Sequence, residues 1–142
     1  MIKFKSKNLY YIIFFYLFFL SANSENIYLN DGIKLFDNKN YEESKIKFEK
    51  DIVFNPKSET SYLYLAKIFK EKKEQSLQEN NLNTVLLLNP KNEEAVYLLA
   101  LLNIEKSNFS KSKELINNLN LLCNNLCNKI KELENKLENS LK

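Results

Sequence analysis

The chain repeats itself at an interval of 34 residues, and this period restricts the fold more than any other feature. Aromatic residues, Asn-Pro pairs and small residues all recur at that interval. The matching sets are Tyr41, Gln75 and Phe109; Asn55-Pro56 and Asn89-Pro90; Gly32, Ala66 and Ala100; and Tyr28, Tyr62 and Val96. A period of this length is typical of solenoids made of two-helix units, in which each unit packs on its neighbours. It therefore predicts an all-α binding scaffold rather than an enzyme.

The first 24 residues have the composition of an export signal. Three lysines precede an unbroken apolar and aromatic run from Leu9 to Leu20, and small residues follow as far as Ser24. This order predicts a cleavable signal peptide at 1–24, with cleavage before Glu25. A run of twelve residues spans only about 18 Å as a helix, against a hydrocarbon core of about 30 Å. An uncleaved membrane anchor remains the alternative.

Charge and composition exclude several classes of function. Without residues 1–24, lysines and acidic residues are equal in number, so no basic stripe is expected to bind nucleic acid. The chain has neither His nor Arg. It therefore lacks an imidazole base, an imidazole metal ligand and a guanidinium fork. No catalytic, cofactor or metal site is predicted.

Periodicity and turn residues predict seven helices. Their approximate ranges are 26–37, 41–54, 59–72, 75–88, 93–106, a sixth that begins at 109, and 126–141. Asn40 is expected to cap the second helix, with Glu43 completing a capping box. The inward face of that helix is expected to carry Tyr41, Ser44, Ile46, Phe48, Ile52 and Phe54. The last helix is predicted to cap the solenoid with Leu126, Ile130, Leu133, Leu137 and Leu141 on its inner face.

These residues resemble the tetratricopeptide repeat family. The family pattern falls on three successive repeats at 25–58, 59–92 and 93–126, followed by a capping helix at 127–142. It is carried by Tyr28, Gly32, Tyr41, Ser44, Phe48 and Pro56; by Tyr62, Leu65, Ala66, Leu82 and Pro90; and by Val96, Leu99, Ala100, Phe109, Ser112 and Ile116. Asp31, Asp51, Gln75 and Asn124 depart from the pattern. The helix pair around Gln75 is expected to be the most irregular.

The resemblance implies a superhelix whose concave face, lined by the first helix of each pair, holds a peptide or a partner helix. The groove positions it implies are Leu29, Ile33 and Phe36; Leu63, Lys67 and Lys70; and Tyr97, Leu101 and Ile104; with Asn26, Asp37, Thr60, Glu71, Glu94 and Glu105 beside them. Leu29 and Ile33 replace the Lys and Asn set with which family members clamp the carboxylate of heat-shock chaperones, so that partner class is not expected. Alternatively, these apolar residues pack on the signal segment, on a second copy or on each other.

Cys123 and Cys127 are the only candidates for special chemistry. Their spacing is not that of a thioredoxin-like site, and four zinc ligands cannot be assembled from them. Because an exported protein with an even number of cysteines favours disulfides, a local disulfide is expected rather than two free thiols. It could form across one helical turn or across a turn at Asn124-Asn125.

The sequence thus predicts an exported bacterial scaffold that binds another protein or peptide. The periplasm of a Gram-negative bacterium, in a role accessory to envelope assembly, is the expected setting. Two alternatives remain: a self-assembly module anchored in the membrane by residues 9–20, and a small cysteine-dependent redox enzyme of the envelope.

Overall fold

A computed structural model describes residues 25–141, and this part of the chain forms seven helices and no strand. The helices are α1 (Glu25–Asp37), α2 (Tyr41–Phe54), α3 (Glu59–Glu71), α4 (Gln75–Leu88), α5 (Glu93–Glu105), α6 (Phe109–Leu122) and α7 (Cys127–Ser140). The signal peptide predicted at 1–24 lies outside these residues.

The helices pack as three consecutive pairs and a cap. α1 packs on α2, α3 on α4 and α5 on α6, while α2 contacts α3 and α4 contacts α5 across the repeat boundaries. α7 lies against α6 and also touches α5. The predicted α-solenoid of three helix pairs with a capping helix is confirmed.

The turn within each pair uses the same backbone geometry three times. Lys39, Lys73 and Ser107 have φ angles of 59°, 59° and 57°, the left-handed conformation in which many helices end. The next residue then bonds back into the preceding helix. Asn40 N–H donates to the Leu35 carbonyl at 2.9 Å, and the two later turns repeat this bond. No glycine marks these turns, so the sequence gives little sign of their geometry.

The predicted capping box at the start of α2 is wrong. The Asn40 side chain makes no capping hydrogen bond, although Asn40 is the N-cap residue. The backbone N–H that Glu43 would need as a donor is already bonded to Leu35. Because the turn after α1 uses the Asn40 N–H, this N–H cannot also bond to the Glu43 side chain in a capping box.

The helix pair that contains Gln75 is regular, contrary to expectation. α3 and α4 pack on each other along their length, and α4 begins at Gln75 itself. Gln75 is exposed, so the missing aromatic side chain leaves no cavity there. Leu82 and Val85 provide the buried contacts of α4.

The small residues of the repeat allow close packing within each pair. Gly32, Ala66 and Ala100 are all buried. A Cβ atom added to Gly32 would lie 2.7 Å from the Phe48 ring, too close for a carbon contact. Leu82 and Ile116 occupy the positions equivalent to Phe48 in the next two repeats and are buried too. Phe48, the bulkiest of these three side chains, therefore packs against Gly32, the only one of the three small residues that has no Cβ.

Asp51 is a buried carboxylate at the boundary between the first two repeats. Its side chain is 1% exposed. Its Oδ2 accepts a hydrogen bond from the Ser61 hydroxyl, and its Oδ1 has no partner among the described residues. Val85 and Leu119, at the equivalent positions, are buried apolar residues. Burial of an incompletely bonded carboxylate is expected to cost stability.

Replacing Asp51 with Val and Ser61 with Ala together is expected to raise the free energy of unfolding by about 1–3 kcal/mol. The double change gives these two positions the residues of the next repeat, Val85 and Ala95. It also removes the Ser61 oxygen that accepts from the Ser58 hydroxyl, so the gain is smaller than for a fully apolar boundary. Ser61→Ala alone should destabilise, because it removes a hydrogen-bond donor from the buried carboxylate. Urea unfolding of the three proteins measures both effects, and a less stable double variant would contradict the prediction.

The inner face of the cap is shorter than predicted. Ile130, Leu133 and Leu137 are buried and Leu126 is half-buried, but Leu141 is 62% exposed because α7 ends at Ser140. In α2, Ile46 and Phe54 are also about half exposed rather than inward-facing. Both lie off the arc that carries the buried Ser44 and Phe48.

Candidate functional site

The first helices of the pairs carry the predicted groove residues, and the structure divides these residues into two groups. Leu29, Ile33 and Phe36 of α1 are half-buried and pack against a core cluster that includes Phe48 and Ile68. Lys67, Lys70 and Tyr97 are half-buried as well. All six residues are partly exposed, and all except Lys70 pack against or pair with other described residues, as a binding surface requires.

The other three predicted groove residues are not open. Leu63, Leu101 and Ile104 are each only 8% exposed and belong to the main core cluster. α5 is buried along most of its length because helices of the second and third pairs and the cap surround it. The expectation that these three side chains are available to a partner is therefore wrong.

An aromatic group that the sequence did not predict lies beside α1. The Tyr64 ring stands edge-on to Phe36 at 5.0 Å and stacks on Phe48 at 5.0 Å. The Lys67 ammonium lies 4.7 Å from the centre of the Tyr64 ring and also pairs with Glu94 at 2.8 Å. Phe36, Tyr64 and Lys67 therefore hold one another in place, which pre-organises this part of the surface.

A cleft of about 610 Å³ opens at the beginning of α5. It is lined by Lys91, Asn92, Glu93, Glu94, Tyr97, Leu98, Asn125, Leu126 and Lys129. Tyr97 lines the cleft, and its hydroxyl lies 3.4 Å from a Glu132 oxygen of α7, so this residue connects the cleft to the cap. Hydrogen bonds from Lys129 and Lys136 lower the pKa of Glu132 to about 2. Glu132 therefore stays ionised at neutral pH.

Glu93 holds the loop between α6 and α7. Its carboxylate accepts hydrogen bonds from the backbone N–H groups of Asn124 at 2.8 Å, Asn125 at 3.0 Å and Leu126 at 2.9 Å. One repeat earlier, Glu59 accepts from the side-chain amides of Asn89 and Asn92. The sequence contained a signal for this role, because both glutamates begin a first helix and lie 34 residues apart.

The NMR chemical shifts of the backbone amides of residues 124–126 are expected to change together with pH as Glu93 is protonated. Hydrogen bonds from the Leu126, Asn124 and Asn125 amides lower the pKa of the Glu93 carboxyl. Its stabilisation of the loop is therefore complete above the ordinary glutamate pKa and is lost as pH falls through the lowered value. A pH series of NMR spectra, in which these amide chemical shifts are followed, measures the pKa at which the hydrogen bonds to Glu93 are lost. Glu93→Gln should abolish the shared titration and Glu94→Gln should preserve it, while titration at the ordinary glutamate pKa would contradict the prediction.

Cys123 and Cys127 form a disulfide across the same loop, with their Cα atoms 5.2 Å apart. Cys123 follows the last residue of α6 and Cys127 begins α7, so the bridge spans a turn rather than one turn of a continuous helix. The disulfide and Glu93 together fix the position of the cap.

Residues 25–141 hold no group of potential ligands that could bind a metal ion. No helix within that range is long and apolar enough to cross a bilayer.

No protein-family model and no curated protein matches the sequence. Solved structures do match the fold. The TPR2B domain of yeast Sti1, from a pHsp70 complex, superposes with a TM-score of 0.76 at 12% identity, covering 81% of this chain and 96% of that domain. The second TPR domain of human RPAP3, in complex with the HSP70 peptide SGPTIEEVD, superposes with a TM-score of 0.67 at 15% identity, covering 87% of this chain and 97% of that domain. The Sgt2 TPR domain from Aspergillus fumigatus superposes with a TM-score of 0.67 at 11% identity, covering 84% of this chain and 78% of that chain.

The chain therefore has the tetratricopeptide-repeat fold, as the resemblance of its residues to that family implied. At these identities the likeness shows the fold alone.

Proposed function

We propose that this chain is an exported scaffold that binds a protein or peptide on the concave face formed by α1, α3 and α5. The observation that carries the proposal is the ordered but partly exposed surface of Leu29, Ile33, Phe36, Tyr64, Lys67 and Tyr97. Two of the similar structures contain chaperone peptides or complexes, which supports a peptide-binding role for this architecture.

The surface favours a partner segment with apolar side chains. Leu29 and Ile33 offer partly exposed aliphatic groups and Phe36 offers a partly exposed aromatic one. Lys67 is already paired with Glu94 and covers the Tyr64 ring, so it is not a free ammonium. An acidic chaperone tail would find no pair of free cations at these positions, and we therefore propose a different partner class.

The setting that we propose is the periplasm of a Gram-negative bacterium, in a role accessory to envelope assembly. The signal-like order of residues 1–24 supports export. The Cys123–Cys127 disulfide supports an oxidising compartment. The disulfide is held in a loop of the cap with no histidine in the chain, which favours a structural role over redox catalysis.

Site-specific photocrosslinking in the native cell tests the binding face. A photoreactive residue is placed at Ile33 or Tyr97 on the concave side, and at the exposed Asn118 of α6 as the matched control. We expect the same adduct of defined mass from both concave positions and none from Asn118. An adduct at Asn118 alone would place the partner on the outer face and contradict the proposal.

A further inference from the structure

The cap α7 covers part of the main core and depends on few contacts outside its apolar face. Its buried side chains belong to the same cluster as residues of α5 and α6; they are Ile130, Leu133 and Leu137. Its ion pairs within the described range, Lys129–Glu132 and Lys136–Glu132, both lie inside the helix and do not tie it to the other helices. A helix of 14 residues is only marginally stable in water by itself. The position of α7 therefore depends on its apolar face and on the loop that precedes it.

The loop before α7 is held by two ties of different chemistry. Glu93 of α5 accepts hydrogen bonds from three backbone N–H groups of this loop. The Cys123–Cys127 disulfide joins the residue after α6 to the first residue of α7. Hydrogen bonds to a carboxylate do not respond to a reductant, whereas a disulfide is broken by one. The disulfide is therefore the tie through which redox conditions act on the cap.

The disulfide is open to solvent on its α7 side. Cys127 is exposed, and so is the loop at Asn124 and Asn125. Cys123 is partly buried and packs against the main core cluster. Reduction begins when a thiolate attacks one of the two sulfurs, so its rate depends on access, and exposed disulfides are more often labile or regulatory than buried ones. The exposure of Cys127 gives a reductant a point of attack in the folded protein.

We propose that the Cys123–Cys127 disulfide is a redox lock on the cap, and that a dithiol reductant releases it. A thiolate of the reductant attacks the Cys127 sulfur, the S–S bond breaks, and Cys123 leaves as a thiolate that takes up a proton. The second thiol of the reductant then displaces Cys127 from the mixed disulfide, and the Cys127 thiolate is protonated in turn. Two electrons and two protons pass from the dithiol to the protein, and the reductant becomes a disulfide.

Release of the lock favours detachment of α7 from the core. The intact bridge joins residues four apart in sequence, so it restricts the positions that α7 can reach when it detaches. In the reduced protein the detached helix has more conformational freedom, which shifts the equilibrium towards the open cap by about 10- to 30-fold. Glu93 still holds the loop, which keeps the two thiols close enough to form the bridge again.

Opening of the cap also removes part of the cleft at the start of α5. α5 contributes Glu94 and Tyr97 to the lining of this cleft, and the loop and α7 contribute Leu126 and Lys129. The Tyr97 hydroxyl loses its contact with Glu132 when α7 detaches. The redox state of the bridge therefore controls the shape of the cleft. The opening itself needs no partner, so the inference does not rest on the proposed function of the concave face.

Hydrogen exchange of the backbone amides tests the lock. The protein purified from its native cell is compared before and after treatment with dithiothreitol, a dithiol, and alkylation of the freed thiols with mass measurement confirms complete reduction. We expect the amides of residues 130–137 in α7 to exchange about 10- to 30-fold faster after reduction, while exchange in α3 stays the same. The matched control is Cys123→Ser combined with Cys127→Ser, whose α7 should exchange rapidly with and without dithiothreitol.

Three results would overturn the proposal. Unchanged exchange in α7 after complete reduction would show that the disulfide does not hold the cap. Equal acceleration in α7 and α3 would show that reduction destabilises the whole fold instead. The rate of reduction should rise in proportion to the dithiothreitol concentration, and a rate independent of that concentration would show that the bridge is reached only after unfolding. Because the unchanged protein is compared in two redox states, the test does not require the serine variant to fold.

Discussion

Replacing Leu101 with Ala is expected to lower the free energy of unfolding by about 2–5 kcal/mol, the range for truncating a buried leucine. Leu101 is 8% exposed and packs in the main core cluster, although its sequence position corresponds to the family groove. Chemical denaturation measures the loss.

Leu121→Ala is the matched control, because Leu121 is 86% exposed. A surface change of this kind is expected to alter stability by no more than about 0.5 kcal/mol. Equal stability of the two variants would show that α5 is open to solvent at Leu101.

Replacing Gly32 with Ala is expected to lower the free energy of unfolding by about 1–3 kcal/mol, the usual cost of overpacking a core. Alanine is the better helix former by about 1 kcal/mol. Stabilisation would therefore be expected if space existed at this position. The added Cβ would instead lie 2.7 Å from the Phe48 ring.

Phe48→Leu should rescue Gly32→Ala. Together the two changes give the first repeat the Ala and Leu that the second repeat has at Ala66 and Leu82. Phe48→Leu alone should destabilise by leaving a cavity, so the double variant is expected to be more stable than the sum of the two losses predicts. Additive losses would show that Gly32 and Phe48 do not contact each other closely.

The helix order was predictable because local signals repeat with the period. Asn55-Pro56 and Asn89-Pro90 end second helices, and the small residues Gly32, Ala66 and Ala100 mark where paired helices meet. These signals depend on neighbouring residues and on spacing, both of which a single sequence displays.

The exposure of the side chains at the groove positions could not be predicted from local signals. Whether Leu101 is exposed depends on how α6 and α7 pack around α5, and these helices lie later in the chain. The role of Glu93 likewise depends on the loop after α6, whose first bonded residue, Asn124, lies 31 residues later. Asp51 departed visibly from the repeat pattern, but its partner Ser61 lies across a repeat boundary. Such contacts follow from tertiary packing rather than from local pattern.

Binding of a protein partner to the concave face is tested most directly by the affinity between purified variants and the partner identified by photocrosslinking. Tyr97→Ser removes a half-buried side chain from that face, and Lys113→Ser changes an exposed residue of α6 as the control. Calorimetry should show at least about tenfold weaker binding for Tyr97→Ser, equivalent to about 1.4 kcal/mol, and unchanged binding for Lys113→Ser, with both variants folded at the temperature used. Full affinity of Tyr97→Ser, or an equal loss in Lys113→Ser, would contradict the claim.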